Sequence, residues 1–309
     1  MAEKLKYFVN GQFRESKTDK WYDLHNPSTG EITGQAPCCT NDEVLEAIAA
    51  AKAAYPGWSA TPAIKRAQIL YRVRELILER MDELTMSVAK ENGKVWAESE
   101  GDVLKAKEGT ELATQVPSLM MGESIMDASR GYDTVKYREP LGVFAGIVPV
   151  NFPAMIPFGW MAPTCIAAGN TLVLKAASLT PKTAMLFAQL YKDAGVPDGV
   201  INVVTCSRNE INTILEHPDV KGITFVGSTP VGLKIYEKAA ANGKRCQALC
   251  QAKNHALVME DCALERTVAG VINSAFGCAG QRCMALSCCV VQDSICLLYT
   301  SPSPRDRQK

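Results

Sequence analysis

Between Gly142 and Asn242 the chain alternates apolar runs of strand length with stretches of helical character. The runs are Val143-Phe-Ala-Gly-Ile-Val-Pro-Val, Thr171-Leu-Val-Leu-Lys, Val200-Ile-Asn-Val-Val and Gly222-Ile-Thr-Phe-Val. The helical stretches cover residues 154–168, 181–194, 210–217 and 230–242. Strands that are apolar along their whole length are buried on both faces, and helices between them supply the cover. That pattern selects an α/β fold with a parallel sheet of the Rossmann type. No internal repeat is present.

Upstream, residues 7–33 read as short strands, with turn chemistry at Asn10-Gly11 and Thr29-Gly30. A helix is expected from Asn41, which would cap it, with Asp42 and Glu43 in the first turn and Pro56-Gly57 ending it. A second helix follows from Ile64 to Met81, with a third over 82–92 and a fourth over 97–115. Residues 123–129 and 132–138 flank Arg130-Gly131 and read as a long hairpin standing away from the core.

Lysine plus arginine equals aspartate plus glutamate, 33 of each, so no broad field draws the chain to nucleic acid or to anionic lipid. The most apolar stretch, residues 141–168, is interrupted by Pro149, Asn151, Pro153, Pro157 and Pro163, so no membrane span is expected. The start lacks an apolar leader and a basic, Ser-rich presequence. A cytoplasmic protein is therefore expected, or a mitochondrial one if the N-terminus is incomplete. The 12 cysteines include no Cys-x-x-Cys pair and there are three histidines, so no metal site is expected. An intracellular chain keeps most of its cysteines reduced and packed as small apolar groups.

Several segments carry possible chemistry. The strand ending at Val226 runs into Gly227-Ser-Thr-Pro-Val-Gly232, and a helix follows. This suits a cofactor turn: Gly227 would permit a tight bend, Gly232 a close approach, and the helix start would attract a pyrophosphate. The spacing is Gly-x-x-x-x-Gly, and a plain strand–turn–helix fits it equally well. Val150-Asn151-Phe152 puts a side-chain amide between a buried strand and a helix, where Asn151 serves either as a hydrogen-bond donor to a ligand or as a helix cap. Lys175 ends the next strand and reads as a contact for ribose or phosphate, or as a solvated surface lysine. In Phe276-Gly-Cys-Ala-Gly-Gln-Arg-Cys283 a cysteine follows a glycine-containing loop; Cys283 is a nucleophile or a core thiol.

In order and spacing these pieces resemble the aldehyde dehydrogenase superfamily from Tyr7 to about Val290. Within it they are most similar to the CoA-acylating branch, the methylmalonate-semialdehyde dehydrogenases. The segments that carry the likeness are Leu119-Met-Met-Gly-Glu-Ser, Asn151-Phe-Pro-Ala-Met-Ile-Pro, Phe225-Val-Gly-Ser, Asn242-Gly-Lys-Arg, Ala252-Lys-Asn-His and Gly280-Gln-Arg-Cys-Met-Ala-Leu-Ser. The resemblance implies Cys283 as the thiolate nucleophile, with Arg282 beside it lowering its pKa. It implies Asn151 and the Cys283 backbone N–H as the oxyanion hole. Val150, Phe152, Lys175, Ser178, Gly227, Ser228 and Gly232 would hold NAD, and Arg282 would hold a substrate carboxylate, unless it is a surface ion-pair arginine. The implied products are propionyl-CoA from methylmalonate semialdehyde and acetyl-CoA from malonate semialdehyde, with carbon dioxide and NADH. Coenzyme A would be the acyl acceptor and a homotetramer the assembly.

Hydrolytic relatives carry a glutamate as base for water four residues before the lysine of the Leu-Gly-Gly-Lys segment; here that position is Leu249. Without a carboxylate, a thiol is the better acceptor, which favours acyl transfer to CoA over hydrolysis of the succinate-semialdehyde type. Other departures matter too. Ser178 replaces the glutamate expected to accept from the adenosine ribose, which leaves NADP open. Gln251 replaces a glycine and Lys105 an arginine. The family continues far beyond Cys283, so the catalytic domain is expected to be incomplete and the isolated chain poorly stable and inactive, a catalytically dead fragment of an enzyme. The implied division is 1–121 with 141–249 as dinucleotide-binding domain, 122–140 as oligomerisation hairpin, 250–292 as the start of the catalytic domain, and 293–309 as an unstructured tail. From Cys296 the tail turns Pro/Ser/Arg-rich and reads as foreign to what precedes it.

Overall fold

The computed structural model describes residues 3–295 and divides the chain into two compact units, Met1–Cys250 and Gln251–Lys309. The first unit opens with β1 (Tyr7–Val9), β2 (Gln12–Arg14), β3 (Trp21–His25) and β4 (Ile32–Pro37), followed by four helices, α1 (Asn41–Ala60), α2 (Ala63–Glu79), α3 (Met81–Asn92) and α4 (Trp96–Ala113). A short helix, α5 (Val116–Leu119), leads into a hairpin of β5 (Ser124–Ser129) and β6 (Tyr132–Val135), exposed along its whole length.

Two expectations about α1 need correction. Its cap is Thr40, not Asn41: Glu43 N donates to Thr40 Oγ1 at 3.3 Å while Thr40 N donates to Glu43 Oε2 at 2.7 Å, a reciprocal capping box. The helix also runs through Pro56-Gly57 to Ala60. Proline removes one ladder bond, but the last turn is held from outside, because Trp58 is buried and its Nε1 donates to Ile166 O at 2.9 Å.

The alternating segment then supplies β7 (Val143–Ile147), β8 (Thr171–Lys175), α7 (Lys182–Asp193), β9 (Ile201–Val204), α8 (Arg208–Glu216), β10 (Val220–Val226), α9 (Thr229–Ala241) and β11 (Arg245–Leu249). The sheet order is β11-β10-β7-β8-β9-β1-β2. The five strands from β11 to β9 are parallel, and β1 and β2 add antiparallel at the far edge. Chain order reverses between β7 and β10, which makes the crevice at their carboxyl ends the place where such sheets bind ligands. The register aligns Ile147 with Lys175 and with Phe225, so the three strands stop level at this edge. Val173, Leu174, Val203 and Ala145 are fully buried, as strands covered on both faces require.

The stretch expected as one helix over 154–168 is instead a π-helical turn, Ile156–Met161, followed by α6 (Ala162–Ala167). Pro157 and Pro163 interrupt the ordinary ladder. Gly159 here lies backbone to backbone against α4: a Cβ on it would sit 2.9 Å from Ala106 Cα and 2.9 Å from Lys105 O.

The second unit contains β12 (Asn254–Val258), α10 (Leu264–Phe276), a tight 3-10 turn Gly277–Gly280, and β13 (Leu286–Val291), with β12 and β13 parallel. None of the side chains of α10 is buried, and Leu257, Phe276 and Met284 are each more than 70% exposed, so this unit presents apolar surface that it does not itself cover. The tail expected to be unstructured from residue 293 begins with a 3-10 turn, Asp293–Ile295; its remainder, 296–309, lies outside the described residues.

Candidate active site

Asn151 stands in the loop that leaves β7 at the sheet's carboxyl edge, half-buried between Val150 and Phe152. The loop is tied on several sides. Val148 N donates to Lys175 O at 3.4 Å. Val150 O accepts from Asn92 Nδ2 at 2.7 Å and from Thr180 Oγ1 at 3.4 Å. Beyond the loop, Asp102 of α4 accepts from Met155 N at 2.7 Å and is ion-paired with Lys94 at 3.2 Å, with both side chains almost wholly buried. Lys94 Nζ also lies 3.8 Å from the centroid of the Phe152 ring. Burial pushes the Asp102 carboxyl up from its ordinary value while Lys94 and the backbone donors pull it down. Lys94 and Asp102 thus hold the backbone on the C-terminal side of Asn151. Sequence reading missed both, since a lysine and an aspartate eight residues apart look like surface charge.

Gly227 and Ser228 turn the chain from β10 into α9. Neither Gly227 nor Gly232 has a positive φ, so the bend does not demand glycine for its conformation. What demands it is space: a Cβ on Gly227 would come within 2.5 Å of the Phe225 ring, and one on Gly232 would collide with Cys250 Sγ. Ser228 is the N-cap of α9 but makes no side-chain capping bond, and Pro230 sits in the first turn. The start of α9 is therefore a helix N-terminus at the carboxyl edge of the sheet, suited to an anion.

Between α8 and α9 the structure has a groove of about 870 Å³. Its walls are largely apolar, with Ile211, Leu215, Val231 and Ile235 among them. A largely apolar cleft of that volume with a few polar groups at its margin suits a small-molecule ligand. Of the sequence-derived cofactor residues, Lys175 lines the groove. Gly227, Ser228 and Gly232 lie at the start of the helix whose Pro230 and Val231 line it. Val150 and Phe152 lie on the loop after β7, and Ser178 sits half-buried in the turn after β8, outside the lining. Burial pushes the Lys175 ammonium down from its ordinary value. Asn242, from the Asn242-Gly-Lys-Arg segment, also lines the groove, as do Arg208, Asn212 and Lys234, which sequence reading did not single out. Their signal was the polar margin of two helices that each bury one face.

Cys283 belongs to the second unit, half-buried ahead of β13. Asn254 Nδ2, from the first position of β12, donates to Cys283 O at 2.8 Å and to Ala285 O at 3.0 Å, clamping the segment around the thiol. The approach to it is strained: Cys278, Ala279 and Gly280 have φ of 51°, 53° and 71°, a left-handed run in which the first two are not glycine. Such outliers persist where surrounding structure overrides local preference, and they concentrate at functional sites. Arg282 turns back over Gly277; its Nε donates to Cys278 Sγ at 3.3 Å and its Nη1 to Asn273 O at 3.5 Å near the C-terminal end of α10. Leu249, where a hydrolytic base would stand, ends β11 and accepts from Gly227 N at 3.1 Å through its carbonyl. Gln251 is exposed. Among the described residues there is no cluster of three potential metal ligands, and no helix is long and apolar enough to cross a membrane.

The sequence model described as the aldehyde dehydrogenase family matches residues 13–299. The chain belongs to the aldehyde dehydrogenase family. It is 45% identical over 287 residues to the rat methylmalonate-semialdehyde/malonate-semialdehyde dehydrogenase [acylating], mitochondrial, a match covering 93% of this chain and 54% of that one. Its fold superposes on methylmalonate-semialdehyde dehydrogenase of Oceanimonas doudoroffii with a TM-score of 0.93 at 39% identity, covering 97% of this chain and 61% of that one. A putative methylmalonate-semialdehyde dehydrogenase of Sinorhizobium meliloti complexed with NAD gives 0.91 at 36% identity, covering 94% and 59%. This aldehyde dehydrogenase chain thus has the family's parallel-sheet α/β architecture but spans little more than half the length of the relatives it matches.

Proposed function

We propose that the protein to which this chain belongs oxidises methylmalonate or malonate semialdehyde and passes the acyl group to coenzyme A. The observation that carries the reading is the Cys283 loop, a half-buried thiol set by the Asn254 clamp after a strained left-handed run. In this reading the Cys283 thiolate attacks the aldehyde carbon, and the carbonyl oxygen becomes an alkoxide. The resemblance of their segments to the family assigns the donors to that oxygen, the Asn151 amide and the Cys283 backbone N–H. The nicotinamide nucleotide, with its adenosine half in the groove between α8 and α9, supplies the hydride acceptor when bound. Collapse of the alkoxide leaves an acyl thioester on Cys283.

The thioester then needs a nucleophile. Leu249 offers no base for water, whereas a thiol needs less activation at neutral pH. Before the transfer the carboxylated acyl group loses carbon dioxide: the bond from the carboxylate carbon to the α-carbon breaks, its electron pair is delocalised into the thioester carbonyl, and the α-carbon takes a proton from water. CoA sulfur then attacks the thioester carbonyl as the thiolate, the carbonyl–Cys283 sulfur bond breaks with the Cys283 thiolate leaving, and acyl-CoA departs. Arg282 meets the substrate carboxylate by giving up its 3.5 Å contact with Asn273 O. The exposed β5–β6 hairpin, bearing Ile125, Met126 and Tyr132 on its surface, serves as the assembly arm of a homotetramer. We place the reaction in the cytosol or, as for the mitochondrial relatives, in mitochondria.

The test is NADH formation from malonate semialdehyde by the full-length protein, with and without CoA. The reading expects turnover that depends on CoA, with acetyl-CoA as product. Equal turnover without CoA would make the enzyme hydrolytic, and no turnover in either case would make it catalytically dead.

A further inference from the structure

The segment Asn92-Gly93-Lys94 leaves the end of α3 and meets Val150-Asn151-Phe152 through two contacts, which fall on either side of Asn151. Asn92 Nδ2 donates to Val150 O at 2.7 Å, and Lys94 Nζ lies 3.8 Å from the centroid of the Phe152 ring. Gly93 aims the pair. Its φ of 76° and ψ of 15° end the helix in the left-handed region, where glycine is favoured, and a Cβ on it would sit 2.9 Å from Pro27 Cβ.

The contact to Val150 O bears directly on Asn151. That carbonyl and the Asn151 N–H are the two ends of one planar peptide, so fixing the oxygen fixes the plane from which the Asn151 side chain departs. Apolar packing contributes little here: the Val150 side chain is 38% exposed, and Asn151 and Phe152 are half-buried. Polar ties set the loop instead. Thr180 Oγ1 is a second donor to Val150 O, at 3.4 Å. The same end of α3 holds the turn that carries Thr180. Glu91, next to Asn92, accepts from Lys182 N at 2.8 Å and Thr183 N at 3.0 Å, and Ser87 Oγ and Thr183 Oγ1 share a hydrogen bond at 2.9 Å. Lys94 is fixed in turn by Asp102, which also accepts from Met155 N. The end of one helix thus sets the backbone before and after Asn151.

We propose that Asn92 is a positioning residue for the reaction: with Lys94 across Gly93 it clamps the chain on both sides of Asn151 and so aims the Asn151 amide at the oxygen that becomes negative. The inference rests on the reading of Asn151 as a donor to that oxygen. Asn92 itself touches no reacting atom. A small displacement is enough to matter, since a group misplaced by about 1 Å costs on the order of 10²-fold in rate.

The experiment measures single-turnover NADH formation from malonate semialdehyde and saturating NAD, without CoA, by full-length protein in excess over the aldehyde. That rate reads the steps through hydride transfer and not acyl transfer or product release. Asn92→Asp keeps the shape of the side chain and removes its donor. Asn151→Ala should slow the reaction by about 10²–10³-fold. Asn92→Asp should slow it by about tenfold. Asn92→Asp/Asn151→Ala should be no slower than Asn151→Ala alone, within about twofold, because the clamp has nothing to aim once the amide is gone. A general loosening of the fold would instead multiply the two effects. Circular dichroism and melting temperature check that the variants are folded, and Asn92→Ala repeats the cycle without an added charge. If both Asn92 variants react at the unaltered rate, or if their effects multiply with that of Asn151→Ala, the proposal is overturned and the role of Asn151 stands. If Asn151→Ala is not slowed, the reading of Asn151 falls and the proposal with it.

Discussion

Lys94 and Asp102 form an ion pair at 3.2 Å whose side chains are 2% and 0% exposed, and Asp102 at the same time accepts from Met155 N at 2.7 Å. A buried pair of this kind adds little net stability over an apolar replacement, but breaking it leaves an uncompensated charge. Asp102→Ala should therefore cost about 3–5 kcal/mol. Asp102→Ala/Lys94→Met should cost less than Asp102→Ala alone. Urea denaturation of the two variants checks this, and equal losses would mean that the pair is not coupled.

Glu91 is buried, and its carboxylate accepts from Lys182 N at 2.8 Å and Thr183 N at 3.0 Å at the start of α7. Burial nevertheless raises its pKa from 4.5 to about 7, outweighing those donors. Between those values the folded chain holds a proton that the unfolded chain has released, so the stability Glu91 contributes is full below 4.5 and is lost as pH rises through about 7. The melting temperature of Glu91→Gln, relative to the unaltered chain, should climb across that window and level off above it. A difference independent of pH would contradict the assignment.

Gly159 has no room for a side chain, since a Cβ there would meet Ala106 Cα and Lys105 O, both backbone atoms. Gly159→Ala should destabilise by about 1–3 kcal/mol, as overpacking in a filled interior does. The denaturation midpoint reports it; an unchanged midpoint would show that the π-helical turn shifts freely against α4.

Ala279 adopts φ 53° and ψ 30° ahead of Cys283. A non-glycine residue in this region carries roughly 1–2 kcal/mol of strain. Ala279→Gly should relieve part of it, read as slower unfolding of the second unit in hydrogen exchange. Faster exchange there would mean that the alanine side chain makes contacts worth more than the strain.

Much of the parallel sheet was legible because its strands are apolar along their length and bounded by glycine and proline; β8 was read to the residue. The cap at Thr40 was misplaced because Asn41 and Thr40 are both good capping residues, and only the reach of Glu43 distinguishes them. The π-helical turn was only half legible: Pro157 and Pro163 announce a break in the ladder, but the close backbone approach of Gly159 to α4 joins segments distant in sequence. Motif order picked out Asn151, Lys175, Gly227 and Cys283 as candidates. What holds them was hidden: Asp102 is polar yet fully buried, and Asn254 lies 29 residues before the thiol whose backbone it clamps. The groove cations were invisible for a related reason, because α8 and α9 only become facing walls once β10 places them side by side.

Thioester formation on Cys283 is the step on which the functional account turns. Full-length protein incubated with malonate semialdehyde and nicotinamide nucleotide, without CoA, should show by peptide mass spectrometry an acyl adduct on Cys283. Added CoA should discharge it, and Cys283→Ala should never form it. An adduct on any other cysteine, or turnover that persists in Cys283→Ala, would contradict the account.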